Sequence, residues 1–228
     1  KVSVYILLRF MFTVFGVKFS FEILPTATPL LILAILAMFI PSIVACFQKD
    51  VKRVLAYSSV AQIGYMILGI SFVTVIGLSA GIMHMFNHAL MKGALFLVLG
   101  AVFYRIGSCN IDRMAGLART MPWTMAAFVG GGLSLIGIPM TAGFISKWYI
   151  VTGAIDRGWW PLALVMVASS ILVVFYIWRI IDAVCFLPPG ANTENVKEAP
   201  VIMLAPLWAL AGASVYFGID SSFPASVA

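Results

Sequence analysis

Charge is the scarcest feature of this sequence. Of its 228 residues only 10% are Asp, Glu, Lys or Arg, and just eight are acidic. With 63% hydrophobic residues and a mean hydropathy of +1.09, that poverty excludes a soluble domain and leaves a polytopic membrane protein. Cysteine is nearly as sparse: Cys46, Cys109 and Cys185 have no CxxC spacing, so they read as free thiols or small apolar fillers rather than a disulfide or metal framework. Histidine occurs twice, as His84-x-x-x-His88. That spacing could serve a metal, but no Glu follows His84 and no third Cys or carboxylate lies nearby, so no metal is expected. A nucleophile–base pair, a dinucleotide fingerprint and a haem motif are all missing, which argues against an enzyme and against an organic cofactor. No secretory signal or lipidation motif is visible either. The net charge of +6 does not point to nucleic acid, because the basic residues sit singly or in short groups at the ends of apolar runs. The chain opens at Lys1 inside such a run and without a Met, so it is expected to be a fragment, or the ordered part, of something longer.

What the sequence does have is bilayer-length apolar segments. About seven spans can be marked, over 2–19, 28–47, 51–72, 75–104, 122–155, 160–186 and 200–217, and residues 1–228 read as one transmembrane domain. Lys49, Lys52 and Arg53 lie between spans two and three, Arg105, Arg113 and Arg119 between four and five, and Lys197 between six and seven. The opposite side carries only Lys18 and Arg157, so the basic side is placed in the cytoplasm of a bacterial plasma (inner) membrane. Trp159, Trp160 and Trp208 fall near span ends, as interfacial aromatics do.

Two features disturb this pattern. In the fourth span, His84, His88 and Lys92 are four residues apart and share one sector of roughly 80° on a helix. They make a polar stripe where a single charged Lys costs about 2.5–3.5 kcal/mol, and such groups usually face a bundle interior or a wet path. The fifth span is too long and too interrupted for one straight crossing. Within Ser134–Lys147, Pro139 removes a backbone donor, Gly137 and Gly143 weaken helix on either side, and Thr141 and Ser146 offer hydroxyls to the freed backbone groups. Broken membrane helices commonly mark ion sites, and Lys147 falls just after this break. The alternative for Lys147 is a snorkelling lysine beside a proline kink. Lys1, with Tyr5 one turn on, reads by itself as no more than a chain end.

The stripe suits proton movement. Histidine has a reference pKa of about 6.5, and burial can lower a lysine by several units. His84 and Lys92 are separated by about 12 Å of helix rise, whereas direct transfer needs about 3 Å or one bridging water. The stripe therefore needs a polar, hydrated cavity. It also needs acid, yet within the spans only Asp182 is available, and Arg179 one turn away is its expected partner. A carboxylate is therefore expected from outside this sequence.

With these residues in view, the sequence resembles the antiporter-like membrane subunits shared by respiratory complex I and the Mrp-type multisubunit cation/proton antiporters. Four signatures carry the resemblance: Lys1-Val-Ser-Val-Tyr-Ile-Leu-Leu-Arg9; Gln48-Lys-Asp-Val-Lys-Arg-Val-Leu-Ala-Tyr57-Ser-Ser-Val-Ala-Gln62-Ile-Gly-Tyr65; the His84/His88/Lys92 helix; and Gly137-Ile-Pro-Met-Thr-Ala-Gly143-Phe-Ile-Ser-Lys147. The resemblance implies an all-α bundle, the later half of a fold of about fourteen helices in two inverted repeats, each with one broken helix. It implies that Lys1 is the lysine connecting two half-channels, that His84, His88 and Lys92 are the relay, and that Lys147 is the terminal lysine at the broken helix. Tyr5, Pro139, Gly143 and Ser146 would support them. The family's paired glutamate lies upstream of the part resembled here. The run Lys1-Val-Ser-Val-Tyr, the segment after Lys147 and Lys197-Glu-Ala-Pro200 resemble the Mrp D-type subunit. That implies a proton-conducting subunit of a Na+/H+ antiporter, with other membrane subunits, protons, Na+ and lipid as partners. The alternative is a membrane subunit of a redox-driven pump such as complex I.

Overall fold

The computed structural model describes residues 1–190 and 192–227, which are helical with no β-strand among them. Five helices are long and apolar enough to cross a membrane: α3 (Ala27–Phe47), α4 (Val51–Ser71), α5 (Val75–Ile106), α8 (Trp160–Phe186) and α9 (Val201–Ile219). Each lies within two residues of a span expected from the sequence. The first expected span is not a straight rod. It is a pair, α1 (Val2–Val14) and α2 (Gly16–Ile23), bent by 108°. The turn falls at Gly16, whose φ of +79° is a left-handed conformation open to glycine and hostile to other residues. The fifth span is two helices, α6 (Pro122–Ile136) and α7 (Ala142–Asp156), and a short helix, α10 (Ser222–Val227), follows α9. With the broken pair and the bent pair, the seven expected segments are accounted for.

The bundle is arranged around α4 and α5. Two thirds of the apolar window of α4 is buried (67%), against 22% for α3 and for α9. This most buried helix is also the least hydropathic of the five, so its polar groups face protein rather than lipid. α5 packs on α4, α6, α7 and α9. The α4–α5 hairpin closes through glycine: a Cβ on Gly77 would meet the Gly69 carbonyl oxygen at 2.5 Å, and one on Gly81 would meet that of Met66 at 2.9 Å. Small residues let two membrane helices approach backbone to backbone. Asp50 caps the start of α4 by accepting from the Lys52 and Arg53 N–H groups, and Thr74 accepts from Gly77 N at the start of α5.

The basic loops gather at one end, as their charge bias requires. Val51 N donates to Cys109 O and Ile111 N to Lys49 O, which tie the α3–α4 turn to the loop after α5. Arg179 donates to the carbonyls of Cys46 and Gln48 at this end, so the expected Arg179–Asp182 pair does not form. Those two carbonyls lie at the C-terminus of α3, where a cation is favoured. At the opposite end Arg157 donates to the Phe72 carbonyl.

Glu198 has a structural task that only the folded chain shows. Its carboxylate accepts from Trp123 N (2.8 Å), Thr124 N (3.4 Å) and the Thr124 hydroxyl (2.5 Å), capping the N-terminus of α6 from 74 residues away. Replacing Glu198 by Ala removes that cap. It is expected to cost about 1 kcal/mol and lower the melting temperature of the purified complex by a few degrees. An unchanged melting curve would show that the cap contributes nothing.

Candidate functional site

The polar stripe of α5 faces inward, onto a second stripe that α4 supplies. Leu55, Ser58, Gln62 and Tyr65 are three and four residues apart and so lie on one face of α4. Because α4 and α5 run antiparallel, the early part of one stripe meets the late part of the other. Lys92, 4% exposed, donates to the Leu55 carbonyl at 2.8 Å and to the Ser58 hydroxyl. His84 is fully buried, with Nε2 at 2.8 Å from Gln62 Oε1 and Nδ1 at 2.8 Å from Ser146 Oγ. The ring of His88 lies parallel to that of His84 (7° between planes, centroids 6.2 Å apart), and neither of its nitrogens has a hydrogen-bond partner in the protein. His88 opens instead on a cavity of about 420 Å³, which it lines with Lys1, Ser59, Ile63 and Lys92. That space has room for several waters, the partners a buried imidazole needs.

The other end of the line is built by the helix break. α6 stops at Gly137, whose φ of +92° makes it a left-handed cap, and Pro139 follows with no N–H to continue the helix. Thr141 returns its hydroxyl to the Ile138 carbonyl (2.6 Å), as its position predicts. The carbonyls of Leu135 and Ile136 at the end of α6 are met by Lys147, whose Nζ donates to them at 3.1 and 2.9 Å. The side chain is 7% exposed, so it does not snorkel. An ammonium here complements the negative end of the α6 dipole. It also lies 3.4 Å from Ser170 Oγ and 4.9 Å from the centre of the Tyr65 ring. The Tyr65 hydroxyl in turn meets Ser169 at 2.8 Å and Ser170 at 3.4 Å. A second cavity, about 290 Å³, opens on Lys147 and Ser170.

The structure thus brings His84, His88, Lys92, Ser146 and Lys147 into one inward-facing line, with Lys1 on the wall of the first cavity. Pro139 lies in the break, and Gly143, at the start of α7, packs against the Ser134 carbonyl of α6. Tyr5 is not brought in: it is 51% exposed and lines neither cavity. Sequence reasoning missed the α4 partners Ser58, Gln62 and Tyr65, although polar groups at i, i+4 and i+7 of an apolar helix are a readable stripe. It also missed Ser170, and Asn87, whose amide donates to the Ala142 carbonyl at the start of α7 (2.7 Å).

Chemically, His84, Lys92 and Lys147 each bond to neutral partners, while His88 bonds to none within the protein. Among the described residues no carboxylate bonds to Lys92 or Lys147; their partners are carbonyls and hydroxyls. Among the described residues no ion pair involves either lysine, and the carboxylate expected from the sequence is not supplied by this part of the chain.

A bundle of membrane-spanning helices with a broken helix and a buried Lys/His line defines a class of polytopic membrane subunits. A match to the family described as NADH:quinone oxidoreductase/Mrp antiporter, transmembrane, covers residues 1–173, and the chain belongs to that family. It is 38% identical over 232 residues to NADH-quinone oxidoreductase subunit N of Desulforudis audaxviator, an alignment that covers 96% of this chain and 46% of that protein. It is 34% identical over 214 residues to the D-type component of the Na(+)/H(+) antiporter of Alkalihalophilus pseudofirmus, covering 92% and 42%. In structure it matches a chain of the Mrp complex from Dietzia sp. DQ12-45-1b with a TM-score of 0.81 and 25% identity, covering 87% of this chain and 45% of that one. The chain therefore spans a little under half the length of these relatives. It is an antiporter-like membrane subunit of the Mrp/complex I kind.

Proposed function

We propose that this chain conducts protons along Lys92, His88, His84 and Lys147, with Lys1 at the first cavity, as a subunit of a multisubunit assembly in a bacterial plasma membrane. One observation carries the reading: Lys147 is buried against the carbonyls that the helix break frees, and it borders a cavity of its own. A lysine with no lipid-facing or interfacial task, seated at a broken helix, is placed to exchange a proton with one aqueous side.

The assembly has two readings, each with its own support. The signatures after Lys147 and around Lys197 favour an Mrp-type complex that exchanges H+ for Na+. The higher identity with an NADH-quinone oxidoreductase subunit N favours a redox-driven proton pump. The proton line is common to both. Co-purification with small membrane proteins decides for the first, and with flavin and iron–sulfur subunits for the second.

The test of the line itself is Lys147→Ala in the complete native complex, reconstituted in vesicles. Driven proton transport is expected to fall by about two orders of magnitude, as when an essential acid–base group is removed, while the complex still assembles. Transport at the wild-type rate in an assembled Lys147→Ala complex would overturn the reading.

A further inference from the structure

Lys147 is a buried amine that meets no carboxylate among the described residues. As an ammonium it has three N–H groups, and these go to the carbonyls of Leu135 and Ile136 and to Ser170 Oγ, all of them neutral oxygens. On a further side stands Tyr65 of α4, fully buried, with its ring centre 4.9 Å from Nζ. The face of an aromatic ring is electron-rich and attracts a cation, more strongly away from water. It gives a neutral amine nothing comparable.

The hydroxyl of Tyr65 fixes the ring in that place. Its oxygen lies 2.8 Å from Ser169 Oγ and 3.4 Å from Ser170 Oγ, and Ser169 Oγ lies 3.4 Å from the Met38 carbonyl of α3. A carbonyl can only accept. With Ser169 donating to Met38, Tyr65 donates to Ser169 and Ser170 donates to Tyr65. That leaves the Ser170 oxygen free to accept from Lys147. Each hydroxyl in the chain points its hydrogen away from the lysine, so ring and chain act in the same sense.

We propose that Tyr65 takes the place of a counter-ion for Lys147: its ring face favours the charged lysine at the helix break, and its hydroxyl chain holds the ring there. Tyr65 is thus a positioning residue. This rests on the proton-conduction reading above, because it sets the form in which Lys147 waits to exchange its proton. Other titratable groups on the helices packed against α7 are few near this site. His84 faces Lys147 from α5. Residues 122–136 of α6 include no titratable side chain. Tyr176 of α8 lies six positions beyond Ser170, about 9 Å along the helix. Tyr216 of α9 is 59% exposed.

The experiment reads the charge on Lys147 directly, in the native complex in membrane vesicles. Acetic anhydride acylates a neutral amine and spares an ammonium, so the extent of labelling against pH, measured by mass spectrometry of the Lys147 peptide, gives a midpoint. Lys147 borders its own cavity, which admits so small a reagent. Tyr65→Leu removes ring and hydroxyl together. Its midpoint is expected about one pH unit below wild type, a tenfold loss of preference for the charged form. The alkaline limb of driven transport should move the same way. Tyr65→Phe keeps the ring and loses only its anchor, and less than about half of that shift is expected. Tyr65→Met fills the space with a flexible side chain and no aromatic face, and it serves if the leucine complex does not assemble. Lys92 is the internal control: its partners are Leu55 and Ser58, and its midpoint should stay where it is. A Leu or Met midpoint equal to that of wild type or of Tyr65→Phe overturns the proposal, and so does an equal shift at Lys92. Labelling does not depend on conduction, so the two readings fail separately. Intact driven transport in Lys147→Ala removes the proton line, whatever the midpoints show.

Discussion

A single methyl group at Gly143 is expected to abolish transport and to destabilise the whole assembly. An ideal Cβ there would lie 1.8 Å from the Ser134 carbonyl oxygen and 2.9 Å from its carbon. Both atoms are backbone, so no flexible side chain can swing away. Relief requires α6 and α7 to move apart at the break. Leu135 and Ile136, whose carbonyls hold Lys147, directly follow Ser134, and Lys147 lies one turn beyond Gly143. The displacement that accommodates the methyl therefore also pulls the ammonium off its acceptors. Overpacking of this kind costs about 3 kcal/mol or more when the obstacle cannot repack. Gly143→Ala should show transport at background, with a clearly lower melting temperature or a poor yield of assembled complex. Gly130→Ala is the matched control: nothing lies within 4 Å of a Cβ there, and the backbone is helical. Its effect is expected within about 0.5 kcal/mol of zero. Wild-type behaviour of Gly143→Ala would mean that the two halves of the break are not locked together.

The contrast between those two glycines shows what the sequence could and could not say. In the string, Gly130-Gly-Gly132 suggests helix packing and Gly137…Gly143 a weakened helix, and neither pattern says which glycine is pinned. Only the fold shows that Gly143 is pinned against a carbonyl while Gly130 faces open space. The line itself was more legible. His84, His88 and Lys92 declared their common face because helical periodicity is fixed, and Pro139 declared the break because proline lacks a donor. What stayed hidden was partnership across helices. Ser58 and Gln62 are ordinary residues until α4 is laid antiparallel on α5. Glu198 looks like a loop charge until the chain returns it to the start of α6. The first segment misled for the opposite reason: a hydrophobic run says how much chain can sit in lipid, but not that Gly16 turns it through 108°. Arg179 misled because a nearby Asp is visible in sequence, whereas the exposed carbonyls at the end of α3 are not.

Lys92→Arg should separate charge from proton transfer. If Lys92 serves only as a fixed positive charge, arginine should do as well, since guanidinium is always protonated in proteins. If Lys92 must release its proton to pass it on, arginine keeps the charge and halts the relay. The site gives the larger group a fair trial. Lys92 borders the 420 Å³ cavity, so there is room for a guanidinium. Its present acceptors, the Leu55 carbonyl and the Ser58 hydroxyl, are neutral oxygens that arginine can also use. Assembly and melting temperature are therefore expected to stay near wild type. Driven transport is expected to fall by at least about tenfold, within the range for losing one acid–base participant. Transport rates in vesicles, normalised to assembled complex, make the comparison. An arginine variant that pumps at the wild-type rate would recast Lys92 as a static charge that tunes His88 from the cavity wall, and would end the proton line at the histidines.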